Sequence, residues 1–260
     1  MRKTILSILA VLSAPAALAL ADEDKLGVTL DLTYMSKYIS KGSESYGQQG
    51  ALFKTIDIDL YGTGFGTYVT HRAATSSGYV DKERFDYGVY YKSTLFEDKP
   101  HLTKYGISWA YEHYPGLARN VANTTNEWKF SFSWPKLLQS PLVPKYVAYY
   151  EYPAGSGYRR SDVTGWVHIF GFSYDWAAPG LFSQTEKQPL TLSADIAYTD
   201  GLGGKSKDSD WSHATFGIST KFEINSNLSF EPAVYHQLSM DDSVAKRDIT
   251  YCSLSMKYKF

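Results

Sequence analysis

Charged side chains recur at alternate positions inside apolar stretches of this sequence. A Lys or Arg that faces lipid at the bilayer midplane costs about 2–4 kcal/mol, so a membrane-crossing strand would turn such residues inward. The acids on this predicted inner face are Asp31, Asp57, Asp59, Asp86, Glu112, Glu127, Glu151, Asp195 and Glu231. The bases are Arg72, Lys92, Lys104, Lys129, Lys145 and Lys221. Such groups can line water and select ions, or they can pair into a dry, salt-bridged interior.

If the barrel contains a pore, part of this set of charged residues would line it. The candidate pore-lining residues are Asp31, Asp57, Asp59, Arg72, Asp86, Lys92, Lys104, Glu112, Glu127 and Asp195. Asp57 and Asp59 share a strand face close to Asp31, which would attract cations to a constriction. The alternative is that Arg72 and Lys92, on the following strands, neutralise the two carboxylates.

The histidines indicate neither a metal site nor a catalytic centre. None of the six forms an H-x-x-x-H or a Cys/His spacing, and Cys252 is the only cysteine. His213 and Thr215 share one strand face, and a lipid-modifying barrel enzyme would need such a pair together with a carboxylate. A His beside a hydroxyl is common on polar strand faces, so we expect no catalytic residue, no metal and no cofactor.

Strict alternation of apolar and polar residues recurs along most of the chain. Leu26, Val28, Leu30, Leu32 and Tyr34 alternate with Gly27, Thr29, Asp31 and Thr33, and the same pattern returns up to the C-terminal segment. These stretches predict about twelve strands of roughly 9–12 residues, the length that crosses a bilayer at a barrel tilt. Helical periodicity appears nowhere at useful length. The sequence thus predicts an all-β fold, a transmembrane antiparallel up-and-down β-barrel, although the pattern leaves the faces of 163–175 undecided.

The connections between the predicted strands alternate in length. Residues 62–64, 97–101 and 225–227 are short, whereas 37–50, 73–82, 115–125, 154–161, 200–210 and 240–246 are longer and polar. Outer-membrane barrels have short periplasmic turns and longer external loops, so this alternation supports the same fold. Residues 135–142 and 176–188 fit this scheme less well. Both connections fall on the predicted periplasmic side, where turns are short, yet they are longer than a tight turn. We expect extended turns there. The polar loop 40–50 suits either solvent or the mouth of a pore.

The two ends of the sequence suggest export and assembly. Arg2 and Lys3 precede an apolar run that closes on Ala-Leu-Ala before an acidic start, which is typical of a cleaved signal peptide over residues 1–21. Residues 22–260 would then form one barrel domain. The last segment alternates up to Phe260. It resembles the C-terminal signal of bacterial outer-membrane proteins, and this resemblance implies recognition of Phe260 by the barrel-assembly machinery.

Two short motifs resemble those of a known family. The first is Ser-Lys-Tyr-Ile-Ser-Lys-Gly at 36–42, followed by the strand 51–61. The second is Tyr-Glu-His-Tyr-Pro-Gly at 111–116, followed by Asn-Glu-Trp at 126–128. In this order the motifs resemble the Gcw_chp family, also called TorF-family porins. The resemblance implies a simple outer-membrane barrel with a porin role, and it supplies no catalytic residues.

The composition of the chain argues against nucleic-acid binding and against a helical membrane protein. A net charge of -1 gives no reason to expect nucleic acid, and a mean hydropathy of -0.31 argues against a bundle of membrane helices. Aromatic residues make up 16% of the chain and suit interfacial girdles. We therefore expect a passive channel for ions or small polar solutes, in contact with outer-membrane lipid. The alternatives are a closed structural or adhesive barrel that acts through its loops and, less favoured, a lipid- or peptide-cleaving enzyme.

Overall fold

The computed structural model describes residues 25–78, 82–118, 124–155, 164–179, 187–202 and 209–260. The predicted signal peptide at 1–21 lies outside these residues. The strands are β1 (Gly27–Met35), β2 (Tyr38–Ser40), β3 (Ser43–Ser45), β4 (Ala51–Asp59), β5 (Phe65–Ala74), β6 (Glu83–Leu95), β7 (Thr103–His113), β8 (Thr125–Ser133), β9 (Leu142–Pro153), β10 (Gly165–Pro179), β11 (Lys187–Asp200), β12 (Asp210–Thr220), β13 (Phe222–Glu223), β14 (Leu228–Ser239) and β15 (Ile249–Lys259). A 3-10 turn spans Tyr46–Gln48. The described part of the chain holds no helix with the length and apolarity needed to cross a membrane.

The long strands form a closed antiparallel ring. From β4 to β12 each long strand pairs with the next one in the chain, and β1 lies between β4 and β15. β14 pairs with both β15 and β12, which closes the ring, and β13 only extends its edge. Twelve long strands therefore build the barrel in the described residues. The prediction of an all-β, up-and-down barrel of about twelve strands is confirmed.

The alternation in sequence becomes an apolar outer face and a polar inner face. Leu32 leaves 47% of its surface exposed, and the even-numbered neighbours Leu30 and Tyr34 are exposed on the same side of β1. The undecided stretch 163–175 follows the same rule in β10. Phe172 is 47% exposed on the outer face, whereas Val167 is 0% exposed on the inner face. The aromatic residues of this stretch face outward, as their size and apolarity favour in a barrel that meets lipid.

The barrel has a short-turn end and a long-loop end. At the short-turn end, residues 60–64 join β4 to β5, and the Gly62 amide donates a hydrogen bond to the Asp59 carboxylate at 2.6 Å. The connection after β8 is an extended turn, as expected, in which the Trp134 amide donates to the Pro144 carbonyl at 3.1 Å. The connection expected at 176–188 is shorter than predicted. β10 and β11 pair as far as Pro179 and Lys187, and residues 180–186 lie outside the described part.

One long connection turns back into the barrel. Residues 36–50, called the inner hairpin below, contain β2 and β3 joined by a tight turn at Lys41 and Gly42. Both residues have positive φ angles, 48° and 84°, as a two-residue hairpin turn of type I′ requires. At its base Tyr38 and Tyr46 pack with Ala51 into a small buried apolar cluster. This cluster fixes the direction in which the hairpin leaves β1.

Candidate functional site

The inner wall near the long-loop end places like charges side by side. The strand register pairs Arg72 with Arg84, Asp86 with Glu112, and Glu127 with Glu151. The two members of each pair sit on neighbouring strands, and like charges directly opposite each other destabilise a sheet. The wall from β5 to β9 therefore needs compensating charges to be stable.

Two arginines compensate the first part of this wall. Arg84 bridges the two acids of the next pair, with its guanidinium 2.7 Å from Asp86 and 2.6 Å from Glu112. Arg72 also pairs with Asp86, and the Thr125 hydroxyl donates a hydrogen bond to Glu112 at 2.8 Å. Arg84, Asp86 and Glu112 are all buried. The result is a continuous ion-pair network on the inner faces of β5, β6 and β7.

The second acidic pair receives its cation from the inner hairpin. Lys41 Nζ lies 2.5 Å from Glu127 Oε2 and 2.7 Å from Glu151 Oε2, and the three side chains are only 13–15% exposed. Burial alone lowers the pKa of the Lys41 ammonium. Glu151 and Glu127 act in the opposite direction and hold this pKa well above its usual range. The ammonium also lies 5.6 Å from the centre of the Tyr149 ring. Lys41 is thus a charged clamp between the hairpin and the wall.

Other contacts of the inner hairpin fall on a different side of the ring. The Gln237 side-chain amide of β14 donates to the Gly42 carbonyl at 2.8 Å. A Cβ placed on Gly42 would lie 2.3 Å from His213 Nδ1 of β12, so only glycine fits this turn. Arg247 pairs with Glu44 at 3.0 Å. A segment that leaves β1 and touches β8, β9, β12 and β14 crosses the interior of the barrel.

The other predicted acids have partners of their own. Asp31 accepts hydrogen bonds from Thr33 at 2.7 Å and Ser255 at 3.1 Å, with Lys257 at 3.6 Å. The Tyr90 hydroxyl donates to Asp57 at 3.0 Å. Asp59 caps the turn at 60–64, as described above.

Arg72 does not neutralise Asp57 and Asp59, so this part of the alternative given in the sequence analysis is wrong. Arg72 lies near the long-loop end, where its partner is Asp86, whereas the two acids lie at the other end of β4. Lys92 lies close to the region, with its ammonium 4.0 Å from the centre of the Tyr90 ring. The structure therefore separates the predicted residues into a group beside the inner hairpin and a group at the short-turn end.

The remaining candidates lie lower on the inner wall or in packing contacts. Lys104 is opposite Ser133 at the short-turn end, and Asp195 is opposite Gly171 and Thr215. His213 is buried against the hairpin. Its neighbour Ser212 is 0% exposed and donates to the Ala197 carbonyl at 3.2 Å, whereas Thr215, the hydroxyl predicted on the same face as His213, is half-buried opposite Asp195. No cluster of three metal-binding side chains occurs in the residues that the structure describes.

Sequence reasoning missed Arg84 and Lys41. Arg84 shares the inward phase of Asp86 two residues later, so the alternation could have identified it. Lys41 gives no comparable signal, because it lies in a loop outside any alternating segment. Its partner Glu151 is separated from it by 110 residues. Only the closed barrel shows that the loop reaches this wall.

Comparisons with known proteins bear on the fold. No family model matches the sequence, and no curated protein matches it either, so the Gcw_chp resemblance stays an expectation. The chain is similar in structure to a KdgM porin (TM-score 0.55, 10% identity, 89% of this chain and 99% of that one). It is also similar to a NanC porin (TM-score 0.53, 9% identity, 89% of this chain and 100% of that one). A third similar structure is an outer membrane channel from Pseudomonas putida F1 (TM-score 0.50, 9% identity, 90% of this chain and 94% of that one). At such low identity these likenesses show the barrel fold alone.

Proposed function

We propose that this barrel lies in a bacterial outer membrane and forms a narrow, water-filled channel for small polar solutes or ions. The ring of exposed apolar and aromatic side chains suits contact with lipid. The shared fold with proteins described as porins supports the same reading. We also propose export through cleavage near Ala21 and insertion by the barrel-assembly machinery.

The size of the barrel supports an open interior. Twelve strands spaced about 4.8 Å apart and tilted by roughly 40° form a ring about 24 Å across between backbones. Eight-stranded barrels are filled by side chains, whereas sixteen-stranded barrels leave a wide channel. A ring of intermediate size needs an additional element to restrict passage, and the inner hairpin supplies one.

The inner hairpin is the observation that carries the proposal. Its described contacts fall on β8 and β9 through Lys41 and on β12 and β14 through Gly42. The strands between them, β10 and β11, turn small side chains such as Gly171, Ser173 and Ser193 inward. Beside the hairpin the inward Val167 and Ala197 of the same strands are 0% exposed, so we place the wider part of the passage below the hairpin, along these small side chains. Because Lys41 and the two arginines balance most of the acids beside it, we expect little selection by charge at the hairpin.

Swelling of proteoliposomes in a series of uncharged polyols and sugars tests the channel. The refolded chain should admit glycerol, and the swelling rate should fall steeply as the solute grows. Liposomes that contain a refolded barrel without a pore are the baseline. Swelling no faster than this baseline for every solute would overturn the channel.

A closed barrel is the second candidate, and a specific observation favours it. Arg84, Asp86 and Glu112 are buried together, as in a dry, salt-bridged interior. In that case the loops would carry the function, as in a structural or adhesive barrel. The swelling series separates the two candidates, because a closed barrel admits none of the solutes.

A further inference from the structure

Two opposite charges face each other across a glycine on the inner wall, closer to the short-turn end than the Glu151 contact of the inner hairpin. The register of β9, β10 and β11 places Lys145, Gly171 and Asp195 in one row on the inner face. Two strand spacings separate the outer members, so their Cα atoms lie about 10 Å apart. Gly171 contributes no side chain between them.

The glycine is required for this arrangement. A Cβ on Gly171 would lie 2.9 Å from the Cβ of Asp195 and 2.9 Å from the Ala194 carbonyl oxygen. The Asp195 side chain therefore passes close over the Gly171 backbone, in the space that any larger residue would occupy. The row therefore has a negative group that leans over Gly171 and a positive group on the next strand, β9.

Lys145 and Asp195 form no ion pair with each other in the described part of the chain. On its other side Asp195 is opposite Thr215 of β12. In contrast, Asp86, Glu112, Glu127 and Glu151 each contact a Lys or Arg directly. The pair at Gly171 thus differs from the ion pairs around the inner hairpin.

Aromatic surface lies beside the acidic end of the row. The Tyr235 ring packs over Gly217, where an added Cβ would lie 2.7 Å from it. Tyr235 stacks on Tyr251, with ring centres 5.1 Å apart. Ammonium groups interact favourably with carboxylates and with the faces of aromatic rings. This end of the row consequently suits an organic ammonium rather than a small, strongly hydrated metal ion.

We propose that Lys145 and Asp195 form a binding site for zwitterionic α-amino acids inside the channel. The ligand ammonium contacts Asp195, the ligand carboxylate contacts Lys145, and the ligand backbone lies between these two side chains on the lumen side. Two charge-assisted hydrogen bonds of about 2.8 Å with an amino acid between them need about 8 Å between the carboxylate and the ammonium, and the flexible stem of Lys145 can adjust to this separation. The ligand side chain points into the lumen or toward Tyr235. This inference rests on the proposed channel, because the lumen is the route to the site.

Such a site would favour passage of amino acids without trapping them. Conduction requires binding that is favourable enough for entry and weak enough for release. An exposed Lys145 and a half-buried Asp195, without a closed pocket around them, meet this requirement. A zwitterion satisfies both charges at once, whereas a simple cation or anion leaves one of them without a partner.

Binding of L-alanine to the refolded full chain tests the site. Saturation-transfer NMR with a concentration series gives Kd, and ethylamine and propionate serve as probes that each carry only one of the two charges. L-alanine should bind at least about ten-fold more tightly than either probe, because each charge-assisted hydrogen bond contributes. Lys145→Gln and Asp195→Asn should each weaken L-alanine binding by about ten-fold or more.

Two further variants control for indirect effects. Lys221→Gln removes an exposed lysine at the short-turn end that pairs with Glu223, and it should leave Kd unchanged. The double variant Lys145→Asp with Asp195→Lys reverses the two ends and should recover binding that either single reversal loses. Equal binding of all three probes, or unchanged Kd in Asp195→Asn, would overturn the site.

The site and the channel can fail separately in this design. Swelling of liposomes together with no saturable binding of L-alanine rejects the amino-acid site and keeps the channel. Binding that depends on Asp195 in a barrel that admits no solute keeps the binding site and rejects the channel. A Lys145–Asp195 ion pair that excludes ligands would appear as unchanged resonances of L-alanine in the parent, which also rejects the site.

Discussion

Replacing Lys41 by methionine should release the inner hairpin from the barrel wall. Glu127 and Glu151 each lie within 2.7 Å of the same ammonium, so their contacting oxygens are no more than about 5 Å apart. At an effective dielectric constant of about 20, two negative charges at this distance repel by about 3 kcal/mol. Without Lys41 this repulsion is uncompensated, and water must reach the two carboxylates.

The same free energy predicts the size of the effect. A change of about 3 kcal/mol corresponds to about a hundred-fold shift in the equilibrium between attached and detached hairpin. Hydrogen exchange of the amides in 36–50 should therefore be about a hundred-fold faster in Lys41→Met than in the parent. Conductance should rise or become noisy, because the hairpin no longer stays across the lumen.

Matched variants test the physical reason for this prediction. Lys41→Arg keeps the positive charge and should retain most of the protection. Combining Lys41→Met with Glu127→Gln and Glu151→Gln removes the repulsion between the two carboxylates. This triple variant should restore part of the protection of the 36–50 amides from hydrogen exchange. Gly42→Ala should detach the hairpin without a change in charge, because its Cβ would meet His213 Nδ1 at 2.3 Å and its φ is +84°. A folded Lys41→Met barrel with unchanged exchange at 36–50 and unchanged conductance would refute the clamp.

Changes at four other residues test the selectivity, the buried ion pairs and the assembly of the barrel. Asp57→Asn should lower the ratio of cation to anion permeability at low salt, whereas Asp59→Asn should change it less because Asp59 caps the turn at the rim of the barrel; reversal potentials across a salt gradient measure both. Arg84→Ala leaves two buried acids without their shared cation and should cost about 3–5 kcal/mol in unfolding by urea, a loss that a surface ion pair would not show. Phe260→Asp should reduce the heat-modifiable folded fraction in outer membranes, whereas Phe260→Tyr should not, since an exposed aromatic at this position suits the interfacial girdle.

The alternation of residue types was sufficient to predict the barrel but not the path of its loops. The even-numbered residues of β1 could be assigned to the outer face because a one-residue shift would place Asp31 against lipid. In 163–175 the rule was harder to apply, since Val167 and Phe172 are both apolar. The structure separates them, because the register with β9 and β11 fixes which of the two points inward.

The candidate site depended on information that local patterns do not contain. The contact between Lys41 and Glu151 joins residues 110 positions apart and exists only after the ring closes. Pairing of Arg72 with Asp86 likewise follows from the register of β5 and β6, which places Arg72 far from Asp57 along the barrel wall. Inward charges could thus be predicted as a set, whereas their partners could not.

Single-channel recording of the refolded chain in a planar bilayer tests the central claim most directly. We expect discrete conductance steps in the parent, and larger or noisier steps in Lys41→Met at the same protein concentration. Lys41→Arg should resemble the parent. A correctly folded parent and a correctly folded Lys41→Met variant that both leave the bilayer non-conducting would contradict the channel and favour a closed barrel.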